Sequence, residues 1–207
     1  MKFFRVPWIV RKIFFKRTWD FNLSKNEVFL TFDDGPHPEI TPWILDFLKT
    51  EQITACFFCV GENVEKYPEI YARIILDGHT VGNHTMNHNN AIKTAKKDYT
   101  NSIYNASNFI DSTIFRPPYG RLPIWLSNKI LKNYKIIMWT WLSYDYDNRV
   151  SIDKILSKAY QQIKEGDIIV LHDNAKIKDR QKILLPKLVD CIHLKGLKFG
   201  SMSKYMN

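Results

Sequence analysis

The run Thr31-Phe32-Asp33-Asp34-Gly35-Pro36 sets two carboxylates side by side, directly after the apolar stretch Val28-Phe29-Leu30 and directly before turn residues. A buried strand that ends this way delivers acids to the rim of a site. Farther along, His84-Thr85-Met86-Asn87-His88 spaces two imidazoles four residues apart. If that segment is helical, both rings leave one face, a spacing that grips a metal ion. One carboxylate with two histidines is a ligand set of catalytic type, since it leaves coordination positions for water and substrate. Asp34 is the expected third ligand. Two adjacent carboxylates seldom bind one ion together, so Asp33 is left to accept a proton from water. By ligand type the expected cation is a single divalent metal, zinc first, with cobalt, nickel or manganese also fitting the trio. The bland alternative for the acid pair is a simple turn, because Asp-Gly is turn chemistry.

Two further groups follow apolar stretches. Arg116 precedes Pro117-Pro118-Tyr119-Gly120, where a guanidinium can pair with and orient Asp33, and a backbone N–H near Tyr119 can stabilise an oxyanion. A surface arginine in a proline turn is the alternative. His172 ends Asp167-Ile168-Ile169-Val170-Leu171, placed to protonate a leaving amine as general acid. Such a histidine needs a carboxylate partner; Asp145 is preferred, with Asp173 and Asp147 as rivals, and a merely hydrogen-bonded turn residue is the alternative role. Trp139, Trp141, Tyr144 and Tyr146 could form a sugar-stacking wall, although strand alternation requires about half of them to face the core.

The elements that must position these groups alternate. Strands are expected at 28–32, 53–60, 79–81, 114–116, 135–141, 167–171 and 197–200. Helices are expected at 38–50, 67–76, 91–110, 122–131, 151–164 and 182–194. About seven strand–helix repeats imply parallel strands with helical crossovers. The 207 residues are short for eight full units, so an incomplete, distorted (β/α) barrel is expected. No Gly-rich phosphate loop follows the first strand, which argues against a nucleotide site. The polar motifs all follow strands, and in such a barrel those strand ends share one face.

The net charge of +9 describes a basic surface or attraction to an anionic partner, and no basic–aromatic nucleic-acid motif is present, so no nucleic-acid partner is expected. Three cysteines, an odd number, imply no disulfide framework. Cys56 and Cys59 lie three apart on an expected strand, so their sulfurs should point to opposite faces. Residues 1–25 are basic and aromatic, and form either a strap that caps the barrel bottom or an amphipathic segment on an anionic leaflet, with membrane contact through residues 1–17. Charges interrupt every apolar stretch there, so a cleavable secretory signal is not expected. The chain is accordingly expected in the cytoplasm or at the inner membrane face, and as a monomer. Residues 26–207 form one catalytic domain.

Taken together, Thr31 to Pro36, His84 to His88, Arg116 to Gly120 and Leu171-His172-Asp173 resemble the polysaccharide deacetylases, the NodB-homology domain, over roughly residues 27–200. The resemblance implies a distorted (β/α) barrel and metal-dependent removal of acetyl groups from N-acetylated sugars of chitin, peptidoglycan or related glycans. Carried onto this chain, it makes Asp33 the base, Asp34, His84 and His88 the metal ligands, and Arg116 the residue that orients Asp33. Tyr119 supplies a main-chain oxyanion contact, Leu171 lines the acetyl pocket, and His172 is the acid. The fourth motif departs from the family: Asp145-Tyr146 stands for the usual Asp-Trp, and Leu142 stands at an acidic position. A related C–N hydrolase on a small or lipid-linked amino sugar, or a non-catalytic glycan-binding module, are the alternatives.

Overall fold

Strand β1 (Glu27–Asp33) is buried from Val28 to Asp33 because both of its faces are covered. Val28, Leu30 and Phe32 join the larger core under the helices, while Phe29 joins a smaller cluster with Cys56, Phe58, Ile114, Ile137 and Ile168 inside the curl of the sheet. Thr31 and Asp33 share the face of Phe29 by strand alternation. The structure, a computed structural model, describes residues 2–21 and 25–205. Positions 1, 22–24 and 206–207, which belong to the expected segments 1–25 and 26–207, lie outside the described residues.

The elements follow in the order α1 (Trp8–Ile13), β1, α2 (Ile40–Thr50), β2 (Cys56–Cys59), α3 (Gly61–Lys66), α4 (Pro68–Leu76), β3 (Thr80–Asn83), α5 (Lys96–Ala106), β4 (Ile114–Phe115) and α6 (Ile124–Ile130). Then come β5 (Lys135–Ile136), β6 (Trp141–Leu142), α7 (Ile152–Gln162), β7 (Ile168–His172), α8 (Lys178–Leu194) and β8 (Lys198–Phe199). Seven strands lie in the order β5-β4-β3-β2-β1-β7-β6, all parallel, and β8 pairs with the start of β1. This curled α/β half-barrel is the expected fold class.

Local chemistry sets the helix ends. Ser151 caps α7 by accepting from the Lys154 N–H at 3.2 Å, with Asp153 in the favourable first turn. Pro68 opens α4, and Gly78 follows its end in the left-handed conformation. Sequence periodicity overextends α5, since residues 91–95 form turns, and it misses α3, a six-residue helix too short to show a period.

The expected strand at 135–141 is two strands. Residues 135–136 pair with β4 and residues 141–142 with β7, so one bent segment supplies both edges of the sheet. The N-terminal segment packs beside that bend. Thr18 bridges to Ile137, Arg5 to Trp141 and Asp20 to Asp167. Phe4, Trp19 and Phe21 are buried, and Arg5 grips the buried Asp167 with two bonds of 2.6 and 2.9 Å. Cys56 and Cys59 lie in the inner and helix-side clusters respectively, both free and buried, as strand alternation requires.

Candidate active site

Strand register brings the chemistry together. Asp33 stands level with His172 on one side and Phe58 on the other, Cys59 with Asn83, and Asn83 with Phe115. Each of β1, β3, β4 and β7 therefore hands its next polar residue to the same rim: Asp34, His84, Arg116 and Asp173.

Asp34, His84 and His88 each offer one ligand atom, and the three atoms lie within 4.8 Å of one another. His88 Nε2 is 3.0 Å and His84 Nε2 3.7 Å from the same Asp34 oxygen. The residues between the histidines are a loop, not the expected helix. Thr85 and His88 have positive φ values of 69° and 53°, and this backbone turn, rather than helical spacing, brings the rings to 5.1 Å. Asn83 pins the loop by accepting from the Thr85 N–H, and the Met86 N–H donates to the Ser102 carbonyl. The donor set fits a divalent cation. His84 Nδ1 faces the Arg116 carbonyl at 2.7 Å, which fixes the proton there and leaves Nε2 with its lone pair turned to Asp34. Burial lowers the His84 pKa to about 4, which keeps that ring a neutral ligand. Burial pushes Asp34 up, but the hydrogen bond from His88 and the fields of His172 and His84 outweigh it and hold the carboxyl well below its ordinary value.

Asp34 itself sits at φ 87°, a strained position for a residue with a Cβ. Asn63 and Asn174 hold it there. Asn63 donates to its carbonyl at 2.7 Å and Asn174 to its second carboxylate oxygen at 2.8 Å. Sequence reasoning missed both asparagines; nothing local to either one signals a partner on another element. Asp173, a rival for the His172 partnership, is buried and accepts from the Gly35 N–H and the Thr41 hydroxyl. A Cβ at position 35 would overlap that carboxylate, so Gly35 is required for the close approach.

Arg116 is fully buried and donates four hydrogen bonds. They run to Asp33 at 2.6 Å, the Thr31 hydroxyl at 2.7 Å, and the carbonyls of Met138 at 3.0 Å and Ile137 at 3.2 Å. Asp33 is thereby aimed, and the three converging ligand atoms come from Asp34, His84 and His88. His172 Nδ1 lies 2.7 Å from one Asp145 oxygen, and the His172 N–H donates to the other at 2.7 Å. Asp145 is fully buried, whereas Asp147 is engaged by Lys2 and Arg149. Burial alone would discourage a charged His172, but the Asp145 carboxylate, with Asp34 and Asp33 beyond, raises its pKa well above the ordinary imidazole value.

Leu171 corrects an expectation. It stands level with Phe32 and lies in the helix-side core, on the face of β7 opposite His172, so its side chain cannot line a pocket beside that histidine. Val170, buried and level with Thr31, shares the face of His172 instead; the period of two along the strand was the signal for it. Of the expected aromatic wall, Trp141 is fully buried and Tyr144 packs edge-on to Phe4, so both belong to the core. Tyr146 is exposed and sets its edge 5.0 Å from the His172 ring. Trp139 is half-buried under Gly120, 5.8 Å from the Arg116 guanidinium. Tyr119, at φ 60°, is exposed with its ring 4.7 Å from His88. His79 directly precedes β3, at the end away from His84, and accepts from the Ala55 N–H.

With a cation on its donors this arrangement could polarise a carbonyl, and Asp33 and His172 offer it a proton acceptor and a proton donor. The family described as Polysaccharide deacetylase matches residues 21–136. A peptidoglycan-N-acetylglucosamine deacetylase of Bacillus cereus is 35% identical over 86% of this chain and 68% of its own. A chitooligosaccharide deacetylase of Sinorhizobium fredii is 29% identical over 84% of this chain and 89% of its own. A crystal structure of a peptidoglycan N-acetylglucosamine deacetylase in complex with 4-naphthalen-1-yl-N-oxidanyl-benzamide superposes with a TM-score of 0.86 at 30% identity, over 96% of both chains. By motif order, fold and sequence likeness, the chain belongs to the polysaccharide deacetylase family.

Proposed function

We propose that this protein is a metal-dependent deacetylase that hydrolyses the acetamido group of an N-acetylated sugar in a glycan and releases acetate. The observation that carries the reading is the separation of roles around one rim. Asp34, His84 and His88 converge on one point, Asp33 is held by Arg116, and His172 is held by Asp145. A glycan-binding module has no use for a base and an acid so arranged. The substrates named for the relatives, peptidoglycan N-acetylglucosamine and chitooligosaccharide, share the acetamido sugar. The N-hydroxyamide bound by the related crystal structure belongs to a class that chelates divalent cations.

Asp34, His84 and His88 would hold a divalent cation, zinc by ligand type, which when bound would supply Lewis-acid polarisation of a carbonyl and lower the pKa of water toward neutrality. Asp33 accepts the proton of the attacking water. The backbone around Tyr119 offers a donor to the developing oxyanion. His172 gives its proton to the sugar nitrogen as the C–N bond breaks, which yields acetate and a free amine. Acetate release should be measured on peptidoglycan, chitin oligomers and lipid-linked amino sugars, with and without a chelator. Chelator-sensitive release from a polymeric or oligomeric glycan supports the reading. Release from lipid-linked sugar alone moves it to a small-substrate amidase, and glycan binding by metal-loaded protein without acetate ends it.

The role of Asp145 has its own signature. Its carboxylate raises the His172 pKa, and an acid is active only below its pKa, so the group limits the alkaline side of the rate profile. In Asp145→Asn the alkaline limb of kcat/KM should move about 1–3 pH units toward neutrality. An unmoved limb would detach His172 from proton delivery.

A further inference from the structure

The helix α1 is built the wrong way round for a helix packed on a protein. None of its residues is buried, and Trp8, Ile9 and Ile13 are each more than half exposed. At 3.6 residues per turn these positions and Lys12 share one face, so the apolar face of α1 looks outward while Val10 and Arg11 turn toward the protein. Phe15, three-quarters exposed, extends that face past the helix end. A groove of about 310 Å³ between this end and α6 is lined by Ile13, Phe15, Lys16 and Ile124, and both Ile124 and Trp125 on α6 are more than half exposed. The buried Arg17 fastens the two elements by donating to the Leu122 carbonyl and the Ser127 hydroxyl.

The charge on this face has one sign. No acidic residue occurs before Asp20, and Asp20 is spent on Arg11. Lys12 and Lys16 make no ion pair among the described residues. Lys12 lies 4.7 Å over the ring of Trp8, and Lys96 lies 5.1 Å over the ring of Trp125. Two exposed tryptophans, each with a lysine ammonium at its ring, flank aliphatic and phenyl groups. Indole at the headgroup level, apolar side chains beneath and ammonium groups toward lipid phosphates are the pattern of an interfacial membrane contact. No helix among the described residues is long and apolar enough to cross a membrane, so contact at the surface is what this face offers.

We propose that α1, Phe15 and the start of α6 form a docking face for the surface of an anionic lipid bilayer. The inference stands apart from the deacetylase reading, since none of these residues touches the metal donors, Asp33 or His172. It is tested with the full chain and vesicles of phosphatidylcholine, with and without phosphatidylglycerol. The protein should sediment with the anionic vesicles at low salt, with a blue shift in tryptophan emission, and release at high salt. The variant Trp8→Ser, Ile13→Ser, Phe15→Ser alters only exposed side chains and should keep the wild-type melting temperature while losing at least about tenfold in affinity. Lys12→Glu, Lys16→Glu should lose about as much. Failure of the wild type to sediment with anionic vesicles at low salt overturns the proposal, as does equal binding by the serine variant. A wild-type dimer that the serine variant converts to monomer would overturn it by assigning the face to a second copy of the chain.

Discussion

Asp33→Asn should retain its metal and lose about 10²–10⁴-fold in kcat for acetate release, the range ascribed to a positioned general base. The substitution is nearly isosteric, and an amide oxygen can still accept from the Arg116 guanidinium, which also keeps its bonds to the Thr31 hydroxyl and the carbonyls of Ile137 and Met138. What disappears is the ability to take a proton. The metal donors are untouched, because the three ligand atoms belong to Asp34, His84 and His88, while one Asp33 oxygen is engaged by Arg116. Two measurements on one sample decide the matter: metal content by elemental analysis and kcat by acetate release below the melting temperature. Wild-type turnover at full metal content would remove Asp33 from the reaction. Lost metal together with lost turnover would instead make Asp33 part of the ligand set.

The alternation of strand and helix was legible because a strand buried on both faces reads as an unbroken apolar run, as in β1, β2 and β7. The rim was legible because polar residues directly after such runs share the C-terminal end of a parallel sheet. The geometry of the metal donors was not. Spacing of four suggested a helix for His84 and His88, whereas two left-handed residues and the anchors Asn83 and Ser102 make the turn, and no short-range pattern encodes those anchors. The bend between β5 and β6 was hidden because its middle, Ile137 to Thr140, is as apolar as a strand, while its backbone bonds are shared among Phe115, Ile168 and the N-terminal residues Val6 and Thr18, all distant in sequence. Leu171 was misplaced for a different reason. Its neighbour His172 fixes which face of β7 meets the site, and counting back by two from that histidine reaches Val170.

Arg116 couples stability to chemistry more tightly than any other side chain at this rim. It is fully buried, and its charge is met by the buried Asp33 at 2.6 Å. Its guanidinium also lies 4.0 Å over the Phe58 ring, and its own carbonyl receives His84 Nδ1. Arg116→Ala would leave the Asp33 carboxylate without its cation, and the carbonyls of Ile137 and Met138 without these donors. Removal of one partner from a buried ion pair costs about 3–5 kcal/mol, because the remaining charge is uncompensated. Arg116→Lys recovers little of this, since one ammonium cannot reproduce a planar fork that bonds a carboxylate, a hydroxyl and two carbonyls at once. Both variants should therefore unfold at clearly lower denaturant concentration than the wild type and should turn over poorly even when folded and metal-loaded. Denaturation midpoints within error of the wild type would show that the buried pair contributes no net stability. Normal kcat in the lysine variant would show that one point charge suffices to aim Asp33, and the fork geometry would then have no part in the reaction.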